Sequence, residues 1–367
     1  MEKYKDALIS ISDAIFDFKE VEFDVPKSSK LIQDFLEENG FEIERNVAGL
    51  AHAFVASYGS GSPVVGILGE FDALDGIGHA CGHNLLGTGA LGAVLLVKDR
   101  LKTQGTIKYF GCPAEESGYG KAIMVKAGVF DGVSAALTWH PHHKTAVWTR
   151  PSLAVQQTFF KFNGVSAHAA LSPDLGRSAL DAAELMNIGC NYLREHVRDS
   201  VRIHYSYLDV GGKSPNVVQS DAMLNYFVRA AQRDELESVQ KRVEDVARGA
   251  ALMSGVSLEI IEGSSCENFV ANKVLSDRLK SIVACDVEND FDTIEAISTD
   301  VGDVSQCVPT AQVFIECEPY PFPMHSIEWV ENGKSDQAHS GIFKAAQVLS
   351  TLALELFENE ALLEEIL

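Results

Sequence analysis

Apolar and polar positions alternate with two different periods along this chain, and the changes of period divide it into elements. Tyr4 to Phe18 and Ser28 to Glu38 carry apolar residues at helical spacing, and the second run stops at Asn39-Gly40. Phe41 to Ser57 alternates loosely and predicts a strand. Pro63 to Gly69 is a short unbroken apolar run, the pattern of a strand covered on both faces. A Gly/Ala-rich helix is predicted from Asn84 to Leu101, a strand from Thr106 to Gly111, a helix from Gly120 to Ala127 and a strand from Ser134 to Trp139. Strands alternating with helices imply an α/β domain whose largely parallel sheet is flanked by helices.

The pattern changes after Arg150-Pro151. Leu153 to Asn163 reads as strand, Pro173 to His196 as a long helix, Val201 to Leu208 and Met223 to Ala230 as strands, Arg233 to Met253 as helix and Val256 to Glu262 as strand. This β-α-β-β-α-β order is that of a ferredoxin-like α+β module. From about Ser265 the chain returns to the first pattern, with a strand at Thr310 to Cys317 and a closing helix at Gln337 to Glu358. The expected organisation is one domain built from residues 1–150 and 265–367, with residues 151–264 inserted in it.

Composition narrows the function. The chain has 367 residues, 46% hydrophobic and 22% charged, with a net charge of −22 from 52 acidic and 30 basic residues. A negative field of that size repels phosphate backbones and anionic lipid, so neither nucleic acid nor a membrane is an expected partner. Acid excess also serves solubility, and a local Arg can still hold a small anion. No basic segment followed by an apolar run opens the sequence, and stretches such as Ala90 to Val97 are too short to span a bilayer. Seven cysteines without a Cys-x-x-Cys pair fit a reducing cytoplasm better than a disulfide framework.

Three predicted strand ends carry residues that a core has no use for. The strand at 63–69 runs into Glu70-Phe71-Asp72, then His79, Cys81, His83 and Asn84; the strand at 106–111 runs into Cys112-Pro113-Ala114-Glu115-Glu116; the strand at 134–139 runs into His140-Pro141-His142-His143. Ligands of α/β sheets gather at the carboxyl ends of strands. Cys81 and His83, separated by one flexible Gly, can turn a thiolate and an imidazole toward one ion, and thiolate, imidazole and carboxylate together suit Zn²⁺, with Mn²⁺ admitted by the carboxylates. Taken alone, Cys81 and His83 would be a buried thiol and a hydrogen-bonded ring in a Gly-rich turn, and Glu115-Glu116 a solvated pair. Together with His140 they suggest a division of labour in which one carboxylate binds metal and the other takes a proton from water. His168, in Gly164-Val165-Ser166-Ala167-His168, and His325, in a Pro-punctuated loop, stay undecided on their own.

These residues carry a resemblance. The strings GEFDALDGIGHACGHN, GCPAEESGYGKAIMVKAGVFDGVSAALTWHP, GVSAHAALSPDLGRSALDA and STDVGDVSQCVPTAQ resemble the amidohydrolase branch of the M20 metallopeptidase family, in particular its aminobenzoyl-glutamate hydrolases of the B type. The resemblance spans nearly the whole chain. It implies a catalytic domain holding two divalent ions, Zn²⁺ or Mn²⁺, and an inserted ferredoxin-like domain used as a lid and for dimerisation. Carried over by motif, Cys81, His83, Glu116, His140 and His325 would be metal ligands and Glu115 the general base. His168 would polarise the scissile carbonyl in the partner subunit's active site, and Asn216 and Arg229 would hold a substrate carboxylate. The implied reaction is hydrolysis of the amide of an N-acyl amino acid, such as an N-acyl glutamate with an aminobenzoyl or other acyl group. The expected assembly is a homodimer, and a second related subunit is admitted.

Two departures and two rivals accompany the resemblance. Asn84 stands where many members of the branch have Asp, and the stretch from Asn272 to Ser298 is short for the aminobenzoyl-glutamate group. A dipeptidase would use the same centre on an aminoacyl group, and a non-catalytic ligand-binding homologue would carry a damaged one. A cysteine hydrolase built on Cys81 would work without metal.

Overall fold

The computed structural model describes residues 1–102, 104–284 and 290–366. Cys285 and the middle of the short 272–298 stretch lie outside the described residues. The chain divides into two compact units, one of Met1–Pro151, Phe269–Thr293 and Thr299–Leu367 and the other of Ser152–Asn268 and Ile294–Ser298.

The first unit begins with helices α1 (Lys5–Phe18) and α2 (Pro26–Glu38) and strands β1 (Glu42–Arg45), β2 (Phe54–Ser60) and β3 (Val64–Glu70). It continues with α3 (His83–Arg100), β4 (Gly105–Cys112), α4 (Gly120–Lys126), β5 (Ala135–His142) and β6 (Ala146–Trp148). The second unit supplies β7 (Ala154–Asn163), α5 (Ala179–Leu193), β8 (Arg202–Asp209), β9 (Asp221–Ala230), α6 (Arg233–Ser254) and β10 (Ser257–Cys266). Helices α7 (Lys273–Val283) and α8 (Val301–Cys307), strand β11 (Thr310–Glu316) and helices α9 (Ile327–Asn332), α10 (Asp336–Glu358) and α11 (Glu360–Ile366) complete the first unit.

The seven-stranded sheet of the first unit has the order β1-β2-β4-β3-β5-β11-β6. Its centre, β4-β3-β5-β11, is parallel, whereas β1, β2 and β6 pair antiparallel at the two sides. The expectation of a largely parallel sheet therefore holds for the centre only. Successive residues of a strand point to opposite faces, and here both faces are dry. Val65, Ile67, Ile107, Tyr109, Leu137 and Trp139 pack into one core with α1, α3 and α10, and Leu68, Phe110, Cys112 and Ala136 pack into another with Met124 of α4 and Val301 and Val304 of α8. Helix α3 is buried from His83 to Val97, which is why its sequence shows almost no polar face.

The second unit forms a four-stranded antiparallel sheet of order β10-β7-β9-β8. The β-α-β-β-α-β chain order with this strand order is that of a ferredoxin-like α+β module, in a unit made of Ser152–Asn268 and Ile294–Ser298. Ala182, Ala183 and Met186 of α5 and Leu236, Val239 and Val243 of α6 cover one face of it.

Several elements differ from the reading of the sequence. The strand read over 41–57 is two strands, because Asn46 and Ala48 adopt left-handed backbone between them. The helix read from Pro173 begins at Ala179, where Ser178 caps it by accepting a hydrogen bond from the backbone N–H of Asp181. Helices α7, α8, α9 and α11 form in stretches to which the sequence reading assigned no element.

One buried group costs this fold stability. Glu318, just past β11, is 1% exposed, neither of its carboxylate oxygens has a hydrogen-bond partner, and burial pushes its pKa up to about 7 from 4.5. A raised pKa means that the folded chain tolerates the protonated form and resists ionisation, so stability is lost as pH rises through 7. Glu318→Gln is expected to stabilise the protein, and the gain is expected to grow by about 2 kcal/mol between pH 5.5 and pH 8 in urea melts. A gain independent of pH would refute the assignment.

Candidate metal centre

Each strand of the parallel centre delivers part of one cluster just beyond its carboxyl end. The turn after β3 leads through Cys81 and Gly82 into His83, the first residue of α3. Gly82 has φ +78°, and a Cβ there would meet Pro141 Cγ at 2.6 Å, so this turn requires glycine. The segment after β4 carries Glu115 and Glu116 behind Ala114, whose φ of 62° is unusual for a residue with a side chain. His140 lies near the end of β5, and His325 follows β11, also with positive φ at 65°. The His325 backbone N–H donates to Ala80 O at 2.9 Å, tying the last segment to the first.

The side chains meet in overlapping groups. Cys81, His83 and His140 place one ligand atom each within 4.8 Å of one another, and so do Cys81, Glu116 and His325, with Cys81 common to both. A third group of the same dimension joins Glu70, His83 and Glu115. Cys81 Sγ is 3.3 Å from His140 Nε2, and His325 Nε2 is 3.5 Å from Glu116 Oε2.

Neighbouring acceptors fix which nitrogen faces the cluster. His83 Nδ1 donates toward Asp72, whose carboxylate Oδ1 is at 3.2 Å and carbonyl at 3.1 Å, leaving the Nε2 lone pair inward. His140 Nδ1 donates to Pro141 O at 2.8 Å, with the same result. Burial, and then the neighbouring His83, push the His140 pKa down to about 4, so this ring is neutral and its lone pair is available. Hydrogen bonding the far nitrogen to an acceptor is how metal-binding histidines are oriented. Burial first, then the charges of Glu70 and Glu116, hold the Glu115 carboxyl well above the usual carboxylate range.

The donor set fits a divalent cation. His83 Nε2 and Glu116 Oε1 are buried and have no hydrogen-bond partner. Such groups are costly unless something else satisfies them. A thiol, three imidazoles and carboxylates around the same few ångströms are the donors that Zn²⁺ and similar ions take.

Structure brings Cys81, His83, Glu115, Glu116, His140 and His325 together. His168, Asn216 and Arg229 belong to the second unit. There His168 is exposed, and its Nδ1 accepts from the backbone N–H of Ala170 at 3.3 Å and of Leu171 at 3.1 Å, so the neutral ring carries its proton on Nε2 as a donor. Ala169 N–H donates to the exposed Asn216 carbonyl at 2.9 Å, which joins the two loops. Arg229 is half-buried on β9 and gives one guanidinium N–H to Ser298 Oγ at 2.7 Å. Asn84 is in none of the ligand groups; its amide donates to Ser12 Oγ at 3.0 Å and Gly333 O at 3.2 Å, so the departure at this position bears on packing.

Sequence reasoning assigned no role to four buried charges beside the cluster: Glu70, Asp72, Lys121 and Asp300. Glu70 and Asp72 were visible as acidic residues ending an apolar strand. Lys121 and Asp300 gave no signal, because the bond that pairs them spans 179 positions of the chain.

A buried donor set at the ends of parallel strands, with adjacent carboxylates beside it, is the kind of site at which metal-dependent hydrolases work. Residues 63–346 match peptidase family M20/M25/M40, and the chain belongs to that family. It is 36% identical to the B component of p-aminobenzoyl-glutamate hydrolase from Escherichia coli K12, over 97% of this chain and 90% of that one. It is 32% identical to the Xaa-Arg dipeptidase of Homo sapiens, over 82% of this chain and 71% of the other. Among solved structures, the aminobenzoyl-glutamate utilization protein of Klebsiella pneumoniae superposes with a TM-score of 0.73 at 19% identity, covering 93% of this chain and 97% of that one. A dinuclear metal-binding M20 peptidase of Bacillus subtilis superposes with a TM-score of 0.70 at 20% identity, covering 98% and 99%. At these identities the two structures attest the fold. No helix among the described residues is long and apolar enough to cross a membrane.

Adding EDTA to the purified protein is expected to lower its Tm by about 5 °C or more, since the ion binds the folded chain and neutralises its buried carboxylates. Zn²⁺ or Mn²⁺ should restore the Tm, and Glu116→Gln should shrink the difference. A Tm indifferent to EDTA would count against the centre.

Proposed function

We propose that this protein hydrolyses the amide bond of an N-acyl amino acid, with Cys81, His83, Glu116, His140 and His325 holding two divalent ions, Zn²⁺ or Mn²⁺. The observation that carries the reading is the pair of three-residue groups sharing Cys81, with Glu115 beside them and outside both. Ions held there would supply Lewis acidity toward the scissile carbonyl and the attacking water. Glu115 takes a proton from that water and returns it to the leaving amine. Such a group must hold a proton in one half of the cycle and release it in the other. His168, a donor through Nε2, stabilises the oxyanion. Arg229 and Asn216 bind the carboxylate of the amino-acid half, the guanidinium fork being matched to that shape.

We place the inserted unit, residues 151–264, as the lid and dimerisation domain of a homodimer. Support comes from β8, the edge strand of its sheet, which exposes Tyr205, Tyr207 and Leu208, and from α5, which exposes Ile188 and Tyr192. An unprotected apolar edge of this kind is normally covered by another chain. In this assembly each copy's His168 serves the partner's centre. A second, related subunit is an alternative partner, since the Escherichia coli relative is one of the subunits of its hydrolase. Cys81, Cys112, Cys190, Cys307 and Cys317 form no disulfides, in keeping with a reducing compartment such as the cytoplasm.

The dipeptidase reading is retained because of the similarity to the Xaa-Arg dipeptidase. A panel of N-acyl glutamates, including aminobenzoyl-glutamate, against dipeptides separates the two, and turnover confined to dipeptides would overturn the acyl assignment. A non-catalytic homologue is disfavoured by an intact ligand set.

Glu115→Gln is expected to lower kcat by about 1000-fold or more while metal content per chain stays unchanged. Near-normal turnover in that variant would remove Glu115 from the role. Because the proton-accepting form is the carboxylate, kcat/KM should fall on the acid side. His168→Ala should cost about 100- to 1000-fold in kcat. Mixing the inactive Glu115→Gln and His168→Ala proteins should recover activity through hybrid dimers; no recovery after subunit exchange would place His168 in its own chain's centre.

A further inference from the structure

Beside the proposed ligands lies a charged group that the reaction scheme leaves unused. Glu70, the last residue of β3, is 2% exposed, and its two oxygens have different surroundings. Oε1 is 2.7 Å from the ammonium of Lys121, and Oε2 is 3.4 Å from His83 Nε2. Lys121 is itself fully buried and doubly tied to Asp300: its ammonium donates to Oδ1 at 2.5 Å and its backbone N–H to Oδ2 at 2.8 Å. One Glu70 oxygen is thus anchored by a fixed cation, and the other faces a buried nitrogen that has no hydrogen bond.

The spacing at this edge matches the spacing at the edges already described. Cys81 to His140 is 3.3 Å, Glu116 to His325 is 3.5 Å, and Glu70 to His83 is 3.4 Å. Two donors bonded to one ion at about 2.0–2.3 Å, with near-tetrahedral angles, lie roughly 3.3–3.6 Å apart. A direct hydrogen bond is the alternative account. A doubly protonated His83, giving one proton to Asp72 and the other to Glu70, is that account, and the cobalt spectrum below separates it from metal ligation.

We propose that Glu70 is a further ligand of the ion held by His83, and that Lys121 and Asp300 are positioning residues that fix its carboxylate in that role. The proposal rests on reading the cluster as a metal centre. It adds a hard oxygen to a set otherwise made of thiolate and imidazoles, which favours Mn²⁺ over what Cys81, His83 and His140 would select alone.

The test uses the full-length protein loaded with Mn²⁺ or Co²⁺, and compares wild type with Glu70→Gln, Lys121→Met and Cys81→Ser. Readouts are metal per chain by elemental analysis, affinity by chelator competition, and the visible d–d spectrum of the cobalt form. Glu70→Gln is expected to lower Mn²⁺ affinity by about 100-fold and to change the intensity of the cobalt bands. Lys121→Met, which keeps the carboxylate and loosens it, is expected to lower affinity by about 10-fold. Glu70→Asp replaces the Gln variant if that protein fails to fold, with the same spectral change expected from its shorter reach. Wild-type affinity together with a wild-type cobalt spectrum in the folded Glu70 variant would overturn the proposal, leaving Glu70 as a partner of Lys121 only. Cys81→Ser separates this from failure of the underlying reading: if it too binds Mn²⁺ and Co²⁺ as wild type does, the metal centre itself is wrong.

Discussion

Glu70, Asp72, Glu115 and Glu116 are carboxylates withdrawn from water at or beyond the ends of neighbouring strands, Asp300 joins them from the start of α8, and among the described residues Lys121 is the ammonium buried with them. Charge burial on this scale is tolerated only when it is paired, and one lysine does not pair it. The demand for more positive charge at this point organises much of the first unit. It accounts for imidazoles turned so that lone pairs face inward, for carbonyls and Asp72 holding the far nitrogens, and for a polar centre surrounded by dry packing on both faces of the sheet.

Three of the departures from easy backbone geometry fall in segments that serve the cluster. Gly82, Ala114 and His325 all have positive φ, and each belongs to a segment that turns a donor toward the cluster. Regular strands and α3 hold the bases of these segments rigidly, so strain is confined to short turns. Placing functional groups on the connections of a rigid sheet lets the sheet be optimised for packing and the turns for chemistry.

Much of this was legible in the sequence, and the reasons differ by element. β3, β4 and β5 announce themselves because strands covered on both faces are continuous apolar runs, and the cluster announces itself because its donors follow those runs directly. Short helices such as α8 and α9 complete too few turns to show a 3.6-residue period. The break between β1 and β2 depends on left-handed backbone at Asn46 and Ala48, and an alanine gives no warning of that. Lys121 on α4 reads as an ordinary surface lysine, and only the approach of α8 shows that it is buried against Asp300. Long-range pairings of charge leave no periodic trace. What the cluster does chemically was legible from the residue types; what balances its charge was not.

Cys81 belongs to both of the principal ligand groups, and this membership has a consequence for how the proposed ions bind. Sites that share a donor are not independent: occupation of the first fixes the thiolate that the second requires, and its loss releases both. Binding at one site therefore changes the affinity of the other, and by the same factor in return. The shared sulfur is also the one atom through which an oxidant could disable the whole centre, although Cys81 is only 6% exposed. A mono-metal enzyme would have one affinity for its ion, whereas this arrangement would have two that depend on each other.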